Sequence, residues 1–179
     1  MIKVYTGPMY SGKSKRLIEE YNKIWNKDRV ICFKPSKDTR ELSKIRSRDS
    51  NININAIVIR SLEDILEYIE DDTTAIFIDE IQFLDGDVSV LLNLSIDRDI
   101  DIYISGLSLT SELSPFGIMP KILSIANKVE HLEAVCSVCN KLKAEYTYCL
   151  QGKSEDILVG SSMYIPICKD CLRRKRNGE

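Results

Sequence analysis

The segment Gly7-Pro8-Met9-Tyr10-Ser11-Gly12-Lys13-Ser14 has the pattern G-x-x-x-x-G-K-S, which is typical of a phosphate-binding loop, or P-loop. A triphosphate needs several backbone N–H groups pointing inward, and glycines permit the close approach and the unusual dihedral angles that this requires. In such a loop Lys13 lies against the β- and γ-phosphates, and the Ser14 hydroxyl holds Mg²⁺. All eight residues are therefore predicted to bind a nucleoside triphosphate.

The residues on either side of this loop matter, because a P-loop joins a strand to a helix. Residues 2–5 form a short β-prone run. After Ser14, apolar residues recur at the spacing of one helix face, namely Leu17, Ile18, Tyr21, Ile24 and Trp25. A helix here would aim its N-terminal dipole at the phosphates. The alternative, a chance glycine-rich turn, is disfavoured by this context.

The composition describes an ordinary globular protein of one medium domain, or of one domain with a small appendage. The chain has 179 residues, of which 44% are hydrophobic and 29% charged, and its formal net charge is −2. A chain with this net charge gives no indication of generic polyanion binding. The basic run 173–176 is interpreted as a solvated tail rather than a nucleic-acid contact. The sequence shows no signal peptide and no apolar run of membrane-spanning length, so we expect a cytoplasmic protein.

Strand and helix patterns alternate up to about residue 130. Apolar runs at 29–33, 56–59, 75–78 and 101–105 are predicted strands, 62–69 is a predicted helix, and 36–53 is a predicted long loop. The alternation predicts an α/β fold with a doubly wound, mostly parallel sheet. From Ala134 onward the sequence changes to clustered cysteines and short polar strands. We therefore expect a nucleotide-binding domain over residues 1–133 and a small module over residues 134–179.

The run Ile76-Phe77-Ile78-Asp79-Glu80 is a Walker B pattern. Its apolar strand would deliver Asp79 to the carboxyl edge of the sheet beside the P-loop, where the carboxylate can reach Mg²⁺, usually through water. Glu80 follows directly, and an adjacent carboxylate suits a general base that takes a proton from the attacking hydroxyl or water. The alternative is a charged pair that merely ends a strand. The upstream P-loop favours the catalytic interpretation.

Two cysteine pairs, Cys136-x-x-Cys139 and Cys168-x-x-Cys171, form a set of four thiolates. Two such knuckles can wrap a tetrahedral Zn²⁺, and four protein ligands leave no open position, so the zinc would be structural. Free cysteines or a redox pair are the alternatives. Cys32 is expected in the core and Cys149 outside the ligand set. His131 is the only histidine, so no histidine-based triad is available.

To this point the sequence predicts a P-loop NTPase-like domain for phosphoryl transfer with a zinc-ribbon-like module. An NTPase motor and a small-molecule kinase share these features. The small size of the chain and the absence of a basic surface favour the kinase.

The sequence resembles the thymidine kinases of the zinc-containing, P-loop type over nearly its whole length. Family blocks occur in order at Gly7–Ser14, Phe33-Lys34-Pro35 with Asp38 and Arg40, Phe77–Phe83, Gly106-Leu107, Pro115-Phe116-Gly117, Ala134-Val135-Cys136, and Val159-Gly160 with Tyr164 and Cys168. The resemblance implies that ATP phosphorylates the 5′-hydroxyl of thymidine or a closely related deoxynucleoside, in nucleotide salvage for DNA synthesis. It also implies a homotetramer that binds small molecules and needs neither membrane nor nucleic acid.

The resemblance further implies roles for individual residues. Glu80 would be the base, and Lys13 and Arg40 would neutralise charge on the transferring phosphoryl group. Mg²⁺ would be placed by Ser14 and Asp79, with Asp38 assisting. The ATP site would comprise residues 7–14 together with Asp79 and Gln82. The nucleoside pocket would be lined by Met9, Phe83, Leu107, Phe116, Val159, Gly160 and Tyr164.

Two departures from the family pattern concern the nucleobase. Ser111 stands where the family has a Phe that lines the thymine pocket, and an aromatic contact with a base is worth about 1–3 kcal/mol. The substrate loop is one residue short before Tyr164. A second hypothesis is therefore a nucleotide-binding protein with altered nucleoside specificity or lost kinase activity. A third, a zinc-ribbon ATPase acting on DNA or RNA, has only the basic tail in its favour.

Overall fold

The computed structural model describes residues 1–38, 43–46, 52–151 and 163–178. These residues contain eleven β-strands and four α-helices. The strands are β1 (Ile2–Thr6), β2 (Val30–Pro35), β3 (Lys44–Arg46), β4 (Asn53–Asn55), β5 (Ile57–Ile59), β6 (Ala75–Ile78), β7 (Asp101–Gly106), β8 (Lys128–His131), β9 (Ala134–Val135), β10 (Leu142–Cys149) and β11 (Tyr164–Cys168). The α-helices are α1 (Lys13–Lys23), α2 (Ser89–Asp97), α3 (Met119–Ile125) and α4 (Lys169–Arg176).

Within these described residues the central sheet has the strand order β5-β2-β6-β7-β1-β8, and all of its neighbouring strands are parallel. The predicted α/β fold is thereby confirmed. Thr6 pairs with Gly106, and Ile78 pairs with Ile104. Strands β1, β7 and β6 therefore end near one another, and the segments that follow them meet at one edge of the sheet.

Side chains that alternate along the central strands form two separate cores, one on each face of the sheet. All four residues of β6 are buried, as expected for a parallel strand covered on both faces. Ile76 and Ile78 face the core that contains α2 and α3. Phe77 faces the core that contains α1 and stacks on Tyr103 of β7, with ring centroids 4.6 Å apart.

Helix α1 is shorter than the apolar pattern predicts. Leu17 and Ile18 are buried as expected, but the helix ends at Lys23 and Ile24 is extended. Trp25 is 99% exposed, so its assignment to the buried face was wrong. The apolar spacing continued by coincidence beyond the point at which the chain leaves the helix to enter β2.

Two further local predictions need correction, and one strand was missed. The region 36–53 contains β3 and the start of β4, which pair antiparallel, and Ile45 and Ile54 of this hairpin pack against the core of α1. The predicted helix at 62–69 is a 3₁₀ helix at Glu63–Glu67. Strand β8 was not predicted at all. Each of these elements is short, so local periodicity gives little signal for it.

Strands β9, β10 and β11 form a second, antiparallel sheet against which α4 packs. Residues 173–176 belong to α4 and are exposed, in keeping with the expected solvated basic surface. Among the described residues no helix has the length and apolar character needed to span a membrane.

Candidate active site

The loop between β1 and α1 is shaped by glycine at both of its motif positions. Gly7 has a φ of +152°, and a Cβ atom there would lie 2.2 Å from the carbonyl oxygen of Leu132. Gly12 has a φ of +82° immediately before α1. No other residue type fits the first position, and the second is strained for any side chain. The loop therefore places its backbone at the N-terminus of α1, where the helix dipole favours an anion.

The Lys13 side chain folds back over this loop. It is only 7% exposed, and Nζ donates a hydrogen bond to the carbonyl oxygen of Pro8 at 2.7 Å. The Ser11 hydroxyl is buried without a hydrogen-bond partner in the described part of the chain. A buried orphan hydroxyl is costly, so this loop fits a ligand that can form hydrogen bonds.

Asp79 follows β6 and forms hydrogen bonds with a P-loop residue in the first turn of α1 and with a residue of β7. Ser14 Oγ lies 2.9 Å from Asp79 Oδ2, and the Ser105 hydroxyl at the end of β7 donates to Oδ1 of the same carboxylate. Asp79 is 4% exposed. Hydroxyl and carboxylate oxygens are the protein ligands that Mg²⁺ prefers, so the Ser14–Asp79 pair fits that ion.

Glu80 lies directly after this carboxylate in a turn. Its φ of +52° and ψ of +41° are left-handed, which costs a non-glycine residue about 1 kcal/mol or more. Glu80 is 8% exposed, and its Oε2 accepts a hydrogen bond from Gln82 Nε2 at 2.6 Å. Gln82 Oε1 accepts in turn from the backbone N–H of Leu107 at 3.0 Å. The turn thus connects the ends of β6 and β7.

Asp38 is paired with a lysine of β2. Its Oδ2 lies 3.2 Å from Lys34 Nζ, and the two side chains are 7% and 2% exposed. Lys34 Nζ also donates to the carbonyl oxygen of Lys44 in β3. This pair therefore fixes the hairpin to β2, and the assistance of Asp38 in Mg²⁺ binding stays a prediction.

Two of the predicted nucleoside-binding aromatics lie together. The rings of Phe83 and Phe116 meet edge to face with centroids 5.4 Å apart, and Phe116 is buried. Leu107 reaches the same region through its bond to Gln82. Tyr164 begins β11, where it pairs with Cys149 of β10. The predicted residues Arg40, Val159 and Gly160 lie outside the described residues.

The antiparallel sheet contacts the P-loop through a residue that the sequence analysis missed. The backbone N–H of Met9 donates to Thr147 Oγ1 at 3.0 Å, and Thr147 is 7% exposed. Ser105, which is fully buried beside Asp79, was missed as well. Both are polar residues at inward-facing strand positions. That is the one sequence signal that could have indicated them.

The four predicted zinc ligands form a cluster in which all sulfur atoms lie within 4.8 Å of one another. Cys139 Sγ and Cys168 Sγ are 3.9 Å apart, close to the roughly 3.8 Å of a tetrahedral site with Zn–S bonds of about 2.3 Å. Burial acts to raise the pKa of Cys136. Backbone N–H groups of Cys168, Cys139 and Val138 outweigh it and lower that pKa to about 6. Burial and hydrogen bonds with the other three thiols raise the pKa of Cys171 to about 12, so the shift favours the thiolate, the form that binds metal, at Cys136 alone of these two.

The other two cysteines and the histidine lie apart from this cluster. Cys32 is buried in the core beneath α1, as predicted, and burial raises the pKa of its thiol to about 12. Cys149 is buried on β10 and is not part of the cysteine cluster. His131 is exposed at the end of β8.

A family model and a relative of known name agree in what this chain is similar to. The family model described as thymidine kinase (TK) matches residues 1–172. The chain is also similar to the thymidine kinase of Pseudothermotoga lettingae, with 34% identity over 171 residues. That alignment covers 94% of this chain and 92% of the relative.

Proposed function

The chain belongs to the thymidine kinase family, and from this premise we propose that it transfers the γ-phosphate of Mg-ATP to the 5′-hydroxyl of thymidine in nucleotide salvage. One observation supports the site of transfer above all others. The P-loop residue Ser14 contacts Asp79. The next residue, Glu80, is linked through the Gln82 amide to Leu107, which is predicted to line the nucleoside pocket. The segments predicted to bind ATP and the nucleoside thus meet at two adjacent carboxylates, those of Asp79 and Glu80.

The phosphate end of the site is built from the P-loop. Lys13 Nζ exchanges its bond to the Pro8 carbonyl for the β- and γ-phosphate oxygens, and the N-terminus of α1 adds a favourable dipole. Ser14 and Asp79 would hold Mg²⁺, which neutralises charge on the phosphates when bound. Arg40 is proposed as a further cation on the transferring group.

Glu80 performs the proton transfer in this proposal. Its carboxylate accepts the 5′-hydroxyl proton as the hydroxyl oxygen bonds to the γ-phosphorus, and the bond to the leaving ADP breaks. Catalysis of this kind rests mainly on positioning and electrostatics. A buried base with a fixed partner, as Glu80 has in Gln82, suits that demand.

The nucleobase would lie against the aromatic pair Phe83 and Phe116, with Met9, Leu107 and Tyr164 as further contacts. Val159 and Gly160, which lie outside the described residues, are proposed to contact the base as well. Leu113 packs against the cysteine-bearing sheet, so the loop that carries Ser111 spans the two sheets. Ser111 itself is half-buried. In the family that the sequence resembles, this position usually carries a Phe that lines the thymine pocket.

A panel of nucleosides tests this function. With Mg-ATP, we expect thymidine, deoxyuridine or deoxycytidine to yield a 5′-monophosphate, with thymidine the best substrate. ATP binding without transfer to any nucleoside would instead support the second hypothesis in its form of lost kinase activity. A best substrate other than thymidine would support its form of altered nucleoside specificity.

Ser111→Phe is expected to lower the KM for thymidine by about 5- to 150-fold, the equivalent of an aromatic contact of about 1–3 kcal/mol.

The same resemblance leads us to infer a cytoplasmic homotetramer with a structural zinc in each chain. It also supports a nucleotide-binding domain over 1–133 and a zinc module over 134–179. Sedimentation equilibrium of the purified protein is expected to give four times the chain mass of 20.4 kDa. A monomer at micromolar concentration would contradict the tetramer and leave the kinase proposal intact.

A further inference from the structure

Gln82 is buried between the two segments that meet at the proposed base. It is 3% exposed and lies in the 3₁₀ helix Ile81–Phe83. Its Nε2 donates to Glu80 Oε2 at 2.6 Å, and its Oε1 accepts from Leu107 N–H at 3.0 Å. One amide therefore contacts both the carboxylate and the end of β7.

These two partners determine the orientation of the amide. A carboxylate can only accept and a backbone N–H can only donate, so a flipped amide would lose both bonds. The contact to Glu80 is short and charge-assisted, a kind of hydrogen bond about twice as strong as a neutral one. Gln82 therefore holds the Glu80 carboxylate in one direction, and Leu107 holds Gln82.

The backbone around Gln82 leaves this side chain little freedom. A Cβ atom at Gly106 would lie 2.8 Å from Gln82 Oε1, and one at Gly117 would lie 2.1 Å from the Gln82 carbonyl oxygen. Segments from β7 and from the loop before α3 thus close on Gln82 from two sides. The resemblance implies an ATP contact for Gln82, which stays a prediction, whereas both of the amide's hydrogen bonds described above are made within the protein.

We propose that Gln82 is a positioning residue that aims the Glu80 carboxylate at the nucleoside 5′-hydroxyl and fixes it to the Leu107 backbone. The inference rests on the proposed function, because it assigns Gln82 a part in that proton transfer. The left-handed backbone of Glu80 is an unfavourable conformation that the surroundings must maintain, and the Gln82 amide links this turn to the Leu107 backbone. Gln82 acts through Glu80 and contacts no reacting atom.

Gln82→Met tests the proposal, because methionine keeps the length of the side chain and loses both hydrogen bonds. We expect kcat with thymidine to fall about 10- to 100-fold, the effect of a misaligned catalytic group, while the KM for ATP changes less than threefold. Asn93→Met, at an exposed position of α2, is the matched control and is expected to keep wild-type kinetics. Gln82→Asn, too short to span both partners, gives the same readout if the methionine variant does not fold.

A double-mutant cycle separates positioning from a purely structural role. If Gln82 acts through Glu80, Gln82→Met costs little further activity in a Glu80→Gln background, because the group that it aims is already absent. An equal fold-loss of kcat in both backgrounds would overturn the inference and leave the proposed function standing. Absence of transfer by the wild-type chain would overturn the proposed function, and this inference with it.

Discussion

Replacing Glu80 by glutamine is expected to lower kcat for thymidine phosphorylation by about 10²- to 10⁴-fold, the usual contribution of a general base. The substitution keeps the size of the side chain, and the amide oxygen of the new residue can still accept from Gln82 Nε2. Position is thus retained while the base is lost. Lys13, Ser14 and Asp79 are untouched, so ATP binding should stay near the wild-type value.

Steady-state kinetics with thymidine, paired with an ATP-binding titration, measures both expectations. Glu70→Gln is a matched control, because Glu70 is exposed in the turn that precedes the amino end of β6, away from the edge that carries the site. Wild-type turnover in the Glu80→Gln protein would remove Glu80 as the base.

Loss of the zinc site is expected to unfold the antiparallel sheet and to abolish most kinase activity. The buried cluster of this sheet is small, and two of its members are predicted zinc ligands; it comprises Ala134, Cys136, Ala144, Ile167, Cys171 and Leu172. Zinc binding at such sites contributes about 10–16 kcal/mol of apparent free energy to folding, far more than burial of this small cluster contributes. Loss of the metal would also disorder β10. Thr147 of this strand would then no longer accept the hydrogen bond from the Met9 N–H of the P-loop.

Cys139→Ser and Cys149→Ser make a matched pair for this test, since Cys149 lies outside the ligand cluster. Metal analysis is expected to find about one Zn²⁺ per chain in the wild type and in Cys149→Ser, and much less in Cys139→Ser. Thermal unfolding and limited proteolysis should show a loosened C-terminal sheet in Cys139→Ser alone. A metal-free protein of unchanged stability would contradict the structural role of zinc.

Thr147→Val separates the contact with the P-loop from the metal site. The substitution removes a hydroxyl and leaves the zinc ligands intact, so zinc content should not change. One hydrogen bond contributes about 0.5–1.5 kcal/mol, so kcat/KM for ATP should fall about 2- to 12-fold. Unchanged kinetics in this variant would show that zinc loss acts on the kinase by another route.

Structural features that depend on short sequence motifs could be predicted from the sequence. The apolar run before Asp79 identifies a central strand, and the spacing of Gly7, Gly12 and Lys13 identifies the loop, because each depends on local geometry alone. The paired cysteines predict their own cluster, since two knuckles have few ways of meeting around a tetrahedral ion. The structure places all of these where the patterns predict.

Other features depend on tertiary contacts that local patterns do not encode. Trp25 continued a helical spacing after the backbone had left the helix, and the hairpin of Ile45 and Ile54 offered a single buried apolar residue per strand. Thr147 acts on a loop 138 residues away, and Gln82 acts on Leu107 across 25 residues. Their roles become visible only when the two sheets are assembled.

Transfer of label from γ-labelled ATP to thymidine is the decisive assay of the proposed kinase activity. Purified protein, Mg²⁺ and thymidine are incubated together, and the products are separated and identified. We expect labelled thymidine 5′-monophosphate that forms only when thymidine is present and that nearly disappears with Glu80→Gln. Binding of ATP with label released only as inorganic phosphate, and none transferred to any nucleoside, would show that the protein is not a nucleoside kinase.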